Sequence, residues 1–157
     1  MSDDEFVIDI EALDTAFNQF VPHNHALGLR VIDATTEPAA VVIRLPYDDR
    51  WVGHPETGVL HGGVVTTVLD ATSGACVYMK LKRPTPIATL DLRIDYLKPS
   101  LAKRDLFVRA ECFKATRNVA FVRAVAYHDG PNDPIATATA TFMLQTKGKS
   151  VHERAGL

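Results

Sequence analysis

The stretch Gly58-Val-Leu-His61-Gly62-Gly63, followed by VVTTVLDATSGACVYMK, constrains this chain more than any other. Between Gly62 and Met79 a lone carboxylate, Asp70, stands among Val64, Val65, Val68, Leu69, Ala71, Ala75, Cys76, Val77 and Met79. A surface helix carries a broad polar face, so this composition predicts a helix buried on nearly every side. A carboxylate there is costly unless it has partners or a role, because burial raises its pKa and strands its charge. Two glycines at a helix start offer N–H groups with no intrahelical acceptor, which suits a negatively charged oxygen. The stretch reads as a helix N-terminus that stabilises an oxyanion and works with one buried acid.

The 157 residues around it have the size of one domain with a real core. No run is long enough to span a membrane, and the opening MSDDEF has acids where a signal peptide needs basic residues, so a cytoplasmic protein is expected. Cys76 and Cys112 lack metal-ligand spacing and read as two free buried thiols. Charge is uneven: Asp3, Asp4, Glu5, Asp9, Glu11 and Asp14 crowd the first fourteen residues, whereas residues 80–123 hold eleven basic residues against four acidic ones. Such a basic half attracts a phosphorylated ligand. Without aromatic–basic interleaving, and with a pI near 6.3, no nucleic-acid partner is expected.

Phe6, Ile8, Ile10, Leu13, Phe17 and Phe20 predict an amphipathic helix over residues 5–20, covering a sheet edge and forming an N-terminal segment, 1–20. Val21 to His25 reads as a loop. Leu27 to Thr35 and Ala39 to Leu45 predict a hairpin, and Trp51 to Gly58 an irregular connector. After the helix, strands are expected at Ile87 to Leu97, Asp105 to Lys114, Val119 to His128 and Ile135 to Leu144, with short turns that imply antiparallel neighbours. In the first of these, Leu90, Leu92, Ile94 and Tyr96 alternate with Thr89, Asp91, Arg93 and Asp95, as in a sheet with one buried face. Residues 21–145 form one α+β domain, a long central helix wrapped by a curved antiparallel sheet, and residues 146–157 a polar tail. A helix without a charged face needs more cover than one sheet supplies, so a second copy of the chain is expected.

The order Gly58, Leu60-His61-Gly62-Gly63, Asp70 nine residues after His61, then Thr89-Leu-Asp-Leu-Arg-Ile-Asp-Tyr-Leu-Lys-Pro99 resembles the PaaI-like branch of the hotdog-fold thioesterases, over roughly residues 20–145. The resemblance implies the hotdog fold and hydrolysis of acyl-coenzyme A thioesters without a cofactor. It implies that Gly62 N–H polarises the thioester carbonyl and that Asp70 acts as general base on water or as nucleophile. Thr89 matches a hydroxyl residue that orients the acid or water, and it equally fits an ordinary β-branched strand position. His61 holds the loop or takes part directly, its unperturbed pKa near 6.5 permitting either; Gly63 completes the helix start. His54 stands where relatives commonly carry Asn, in a loop one residue longer, and Glu56 is an alternative acid. Lys98, Arg104, Lys114, Arg117 and Asn118 are the candidate contacts to coenzyme A, whose phosphates need convergent charge.

Nine residues at about 100° each put His61 and Asp70 on opposite faces of one helix, about 13 Å apart. They cannot form a dyad within a chain. If both take part, the sites are composite, with Gly62 and His61 of one protomer facing Asp70 of the other, which agrees with the dimer-interface sites that the resemblance implies; a homodimer, assembled as a dimer of dimers, is expected. Two other functions remain open: hydration or dehydration of a hydroxyacyl thioester through His54 and Glu56, and acyl-coenzyme A binding without turnover. No metal site is expected from His23, His25, His54 and His61. Ala71, Gly74 and Ala75 leave room for an acyl group, walled by Trp51, Phe20 and Tyr78.

Overall fold

In the computed structural model, which describes residues 7–145, the His-Gly-Gly stretch opens a twenty-residue helix, α3 (Gly62–Leu81). Phe6 and the tail at 146–157 lie outside the described residues. His61 caps α3 from an extended conformation, and Lys82, at φ 52°, ends it in the left-handed region. Pro84 and Pro86 follow, and neither can continue a helix.

Among the described residues there are eight strands: β1 (Arg30–Thr36), β2 (Ala39–Leu45), β3 (Val52–His54), β4 (Val59–Leu60), β5 (Ile87–Tyr96), β6 (Leu106–Ala115), β7 (Val119–Tyr127) and β8 (Ala136–Leu144). Six of them form one sheet in the order β1-β2-β6-β7-β8-β5, every pair antiparallel. α3 touches all six, so the sheet curls around it, as the hotdog resemblance implies. Alternation selects the inner face: Leu106, Val108, Ala110 and Cys112 on β6 are buried, as are Ala120, Val122, Ala124 and Ala126 on β7. Much of that face on β7 and β8 is alanine, which gives the helix backbone room to approach at interior packing density.

The core contains the two thiols, both free as expected. Cys76 Sγ donates to the Ala39 carbonyl at 3.0 Å and accepts the Cys112 N–H at 2.8 Å. Burial, reinforced by the neighbouring Cys112, pushes the Cys76 thiol up to about 12.

The N-terminal helix is α1 (Ile10–Gln19), started by Asp9, whose side chain accepts the Ala12 N–H. It covers edge strand β1 as expected. The tie is Asp14, only 7% exposed, whose carboxylate accepts the Val31 N–H at 2.7 Å and pairs with Arg30 at 2.9 Å.

Four local expectations change. Val21 to His25 is not a loop: Pro22 at the first helical position and Gly28 in left-handed conformation bound a short helix, α2 (Pro22–Leu27), so β1 begins at Arg30 rather than Leu27. The connector is partly regular, with a 3-10 turn at Asp49–Trp51 and a β3–β4 hairpin. α3 is not buried on every side, for Thr67, Asp70, Ala71, Gly74 and Tyr78 are only half-buried.

The fourth change concerns β5. Thr89 pairs with Phe142 and Asp91 with Thr141, so Leu90 is an extra residue in a bulge. Phe142 points inward, and residues directly opposite share a face. Thr89 therefore faces the helix while Asp91, Arg93 and Asp95 face away, and Leu90 is 52% exposed rather than inward.

Candidate active site

The bulge matters because it aims Thr89 at α3. Thr89 Oγ1 donates to Asp70 Oδ1 at 3.0 Å. Both residues line a cavity of about 510 Å³ between α3, the start of β5 and the α1–α2 pair. Asp70 is thus half-buried at a mostly apolar cavity, not enclosed in the core as its neighbours in sequence suggest.

The helix start is held by a separate set of bonds. His61 Nδ1 accepts the Gly63 N–H at 2.9 Å, so a neutral imidazole carries its proton on Nε2. His61 caps the helix through this bond, and Gly63 N–H is thereby occupied. The donor left at the first turn is Gly62 N–H, which has no intrahelical acceptor. The Gly62 carbonyl accepts from Tyr96 Oη at 2.7 Å and from Thr66 Oγ1 at 3.0 Å, and these two hydroxyls lie 2.9 Å apart. Leu60 N–H is fixed by buried Ser100 at 2.9 Å. Gly58 sits at φ +69°, where an added Cβ would come within 2.6 Å of Ala102 Cβ, so the loop cannot take a larger residue there without shifting.

Gly62, Tyr96, Lys98 and Ser100 line a second cavity, of about 240 Å³. Asp70 and Gly62, eight residues apart on α3, therefore sit in different cavities of the same chain, about 12 Å apart along the helix. Tyr96, Thr66 and Ser100 hold the helix start and its loop by hydrogen bonds, and none of the three was among the expected site residues. The signals for them were the i, i+4 spacing of Gly62 and Thr66 and the Tyr-x-x-Pro end of β5.

His54 and Glu56 lie exposed on the β3–β4 turn and line neither cavity. The coenzyme A candidates do not converge on one chain. Lys98 and Arg104 sit before β6, ion-paired with Asp133 at 2.5 Å and with Asp129 respectively. Lys114, Arg117 and Asn118 sit at the other end of β6, a ten-residue strand about 33 Å long. Of the expected acyl walls, Ala71, Gly74, Ala75, Phe20 and Tyr78 line the larger cavity; Trp51 does not, because the 3-10 turn carries it to the β3–β4 hairpin. Among the described residues, no cluster of His, Cys, Asp or Glu is suited to a metal, and no helix is long and apolar enough to cross a membrane.

The model of the thioesterase superfamily matches residues 57–135, from the loop before α3 to the start of β8. The chain belongs to the thioesterase superfamily. Medium/long-chain acyl-CoA thioesterase YigI of Salmonella typhimurium is 32% identical over 141 residues, covering 82% of this chain and 88% of that protein. A Pseudomonas aeruginosa protein of known structure is 40% identical, with TM-score 0.73, over 83% of this chain and 98% of its own. A mutant of the phenylacetic acid degradation protein PaaI of Thermus thermophilus, 24% identical, superposes with TM-score 0.67 over 78% of this chain and 98% of that one, a likeness of fold. In this thioesterase the PaaI-like hotdog fold and the thioester-hydrolase class read from His61-Gly62-Gly63 and Asp70 both stand.

Proposed function

We propose that this thioesterase hydrolyses medium- to long-chain acyl-coenzyme A thioesters in a homodimer with two composite sites. The observation that carries the reading is the Thr89-bound Asp70 carboxylate at an apolar cavity. Asp70 takes a proton from water, the resulting hydroxide adds to the thioester carbonyl, and negative charge gathers on the carbonyl oxygen. Gly62 N–H, at the positive end of α3, stabilises that oxygen by up to about 3 kcal/mol. Collapse breaks the C–S bond, the proton returns from Asp70 to the leaving thiolate, and the products are a carboxylic acid and coenzyme A. Direct attack by Asp70 is the alternative first step. The relatives named as acyl-CoA thioesterases support the substrate class. His54 and Glu56, remote from both cavities, do not favour the hydratase reading.

Support for the dimer comes from β5. It is an edge strand of ten residues with exposed Leu90 and Tyr96, continued by Leu97, which is 56% exposed. An edge strand of this length offers unpaired N–H and C=O groups to a second copy. Two β5 strands paired antiparallel across a two-fold axis run the two α3 helices in opposite directions, so that Gly62 of one approaches Asp70 of the other. That arrangement also gives Lys98 and Arg104 of one chain a route to Lys114, Arg117 and Asn118 of the other, around one coenzyme A.

The test is free-thiol release from acyl-coenzyme A by wild type, Asp70→Asn and Gly62→Pro, with mass by light scattering. Proline fits the first helical position and removes only the N–H, and His61 at φ −62°, ψ 132° already has the backbone that precedes proline. Each variant alone should lose about 100-fold or more of the wild-type rate. Co-refolding the two should restore activity, because each heterodimer holds one intact site. No restoration in mixed dimers would refute the composite site, and no wild-type turnover would refute the hydrolase.

A further inference from the structure

The cavity that holds Asp70 extends well past it. Its wall on α3 runs from Thr67 to Met79, with Lys82 just past the helix end, and from Asp70 to Lys82 is about 18 Å along the helix axis. Leu13, Phe17 and Phe20 close it from the N-terminal helices, and Ile87 and Phe142 from the sheet. Lys82 and Arg83 mark its far end. The volume lies within the range of small-molecule sites, about 300–1,000 Å³.

We infer that the N-terminal segment sets the length of acyl chain accepted in this cavity, Phe17 and Phe20 on its wall working against Gly74 and Tyr78 on α3. The inference rests on the thioesterase reading above. It gives the α1–α2 segment, which precedes the family match at residues 57–135, a role in specificity.

Gly74 is the most informative residue. Glycine in a helix interior is disfavoured relative to alanine, so it needs a reason. Close packing is not that reason: a Cβ would meet Ile87 Cδ1 at 3.6 Å and Phe142 Cε1 at 3.8 Å, both ordinary contacts. What the missing side chain provides is space beside Asp70, four residues or one turn away. Tyr78, a further turn on, narrows the same wall, and burial raises its phenol pKa, as an apolar surrounding requires. At the far end the lining changes character. A chain that outgrows the apolar section brings methylenes against Lys82 and Arg83, which hold water and gain nothing from an alkyl group. Affinity therefore rises with each methylene up to a limit and then stops rising.

The experiment is a kcat/KM profile over butanoyl-, hexanoyl-, octanoyl-, decanoyl-, dodecanoyl- and palmitoyl-coenzyme A for wild type, Gly74→Leu and Phe17→Ala. Circular dichroism and light scattering establish that each variant is folded and assembled. For wild type, kcat/KM should climb about fourfold per buried methylene to a maximum. Gly74→Leu should move the maximum to shorter chains, cutting the longest substrates tenfold or more relative to butanoyl-coenzyme A. Phe17→Ala should move it to longer chains, which keeps the test alive if the leucine variant does not fold. Folded variants with the wild-type profile would overturn the inference and leave the hydrolase standing. A wild type inactive on the whole series would overturn the hydrolase instead. Calorimetry with dodecanoic acid then decides the cavity: binding by wild type that Gly74→Leu abolishes supports an acyl site, and no binding by wild type overturns it.

Discussion

The two flanks of α3 belong to one helix and have opposite chemistry. On one, Val68, Leu69, Thr72, Cys76 and Val77 are sealed against the sheet. On the other, Thr67, Asp70, Ala71, Gly74 and Tyr78 border a cavity. Cys76 and Asp70 are six residues apart, yet burial holds the thiol as an inert proton carrier up to about pH 12, whereas the carboxylate has a hydroxyl partner and open space beside it. Reactivity on this helix is decided by which flank a group occupies, since one flank has traded solvent for close packing and the other has not.

Substitutions on the two flanks should separate stability from turnover. The largest effect is expected from Leu69→Ala on the sealed flank, about 2–5 kcal/mol in urea unfolding, from lost transfer energy plus the cavity left behind. Asp70→Asn should leave unfolding nearly unchanged and cut kcat/KM about 100-fold, roughly 2.7 kcal/mol of barrier. An equal loss of stability in both variants would erase the distinction between the flanks.

The thiol supplies a pH test of the sealed flank. Folded Cys76 keeps its proton to about 12, against an ordinary value of 9.0, so between these limits the unfolded chain binds fewer protons than the folded one. Stability should fall with rising pH across that window, by about 1.4 kcal/mol per pH unit at most, and show no slope from this group below it. Cys76→Ala should make the slope shallower, leaving the share of buried Cys112, whose thiol burial also raises, as measured by urea unfolding from neutral pH into the window.

Thr89→Val keeps the strand shape and removes the hydroxyl, and kcat/KM should drop about tenfold, roughly 1.4 kcal/mol, with assembly intact. The smallest effect is Gly74→Ala, which should raise thermal stability by up to about 1 kcal/mol, because the helix gains a better former and the Cβ meets no clash.

What was legible in advance was whatever depends on local pattern. His61-Gly62-Gly63 before an apolar run announced a helix start, and alternation announced the four strands after it. The free thiols followed from their apolar neighbours. Asp70 stood out because it was a lone acid in an apolar stretch. Asp14 did not, since one of six acids near the N-terminus reads as solvated until β1 is seen to offer it the Val31 N–H. Tyr96 and Ser100 escaped for the same reason, their partners Gly62 and Leu60 lying 34 and 40 residues away.

The sequence by itself thus determined the β1–β2 hairpin, the long helix with its capped start and one acid, and the four strands after it, all consequences of neighbours within a few residues. Tertiary structure alone decided that Leu90 bulges and turns Thr89 inward, that one flank of α3 opens on a cavity roofed by α1 and α2, and that Asp70 and Gly62 occupy separate cavities. The physical reason is that a strand's facing is set by its register against a partner, and a helix flank's burial by what the rest of the chain lays over it. Neither quantity exists until distant segments meet.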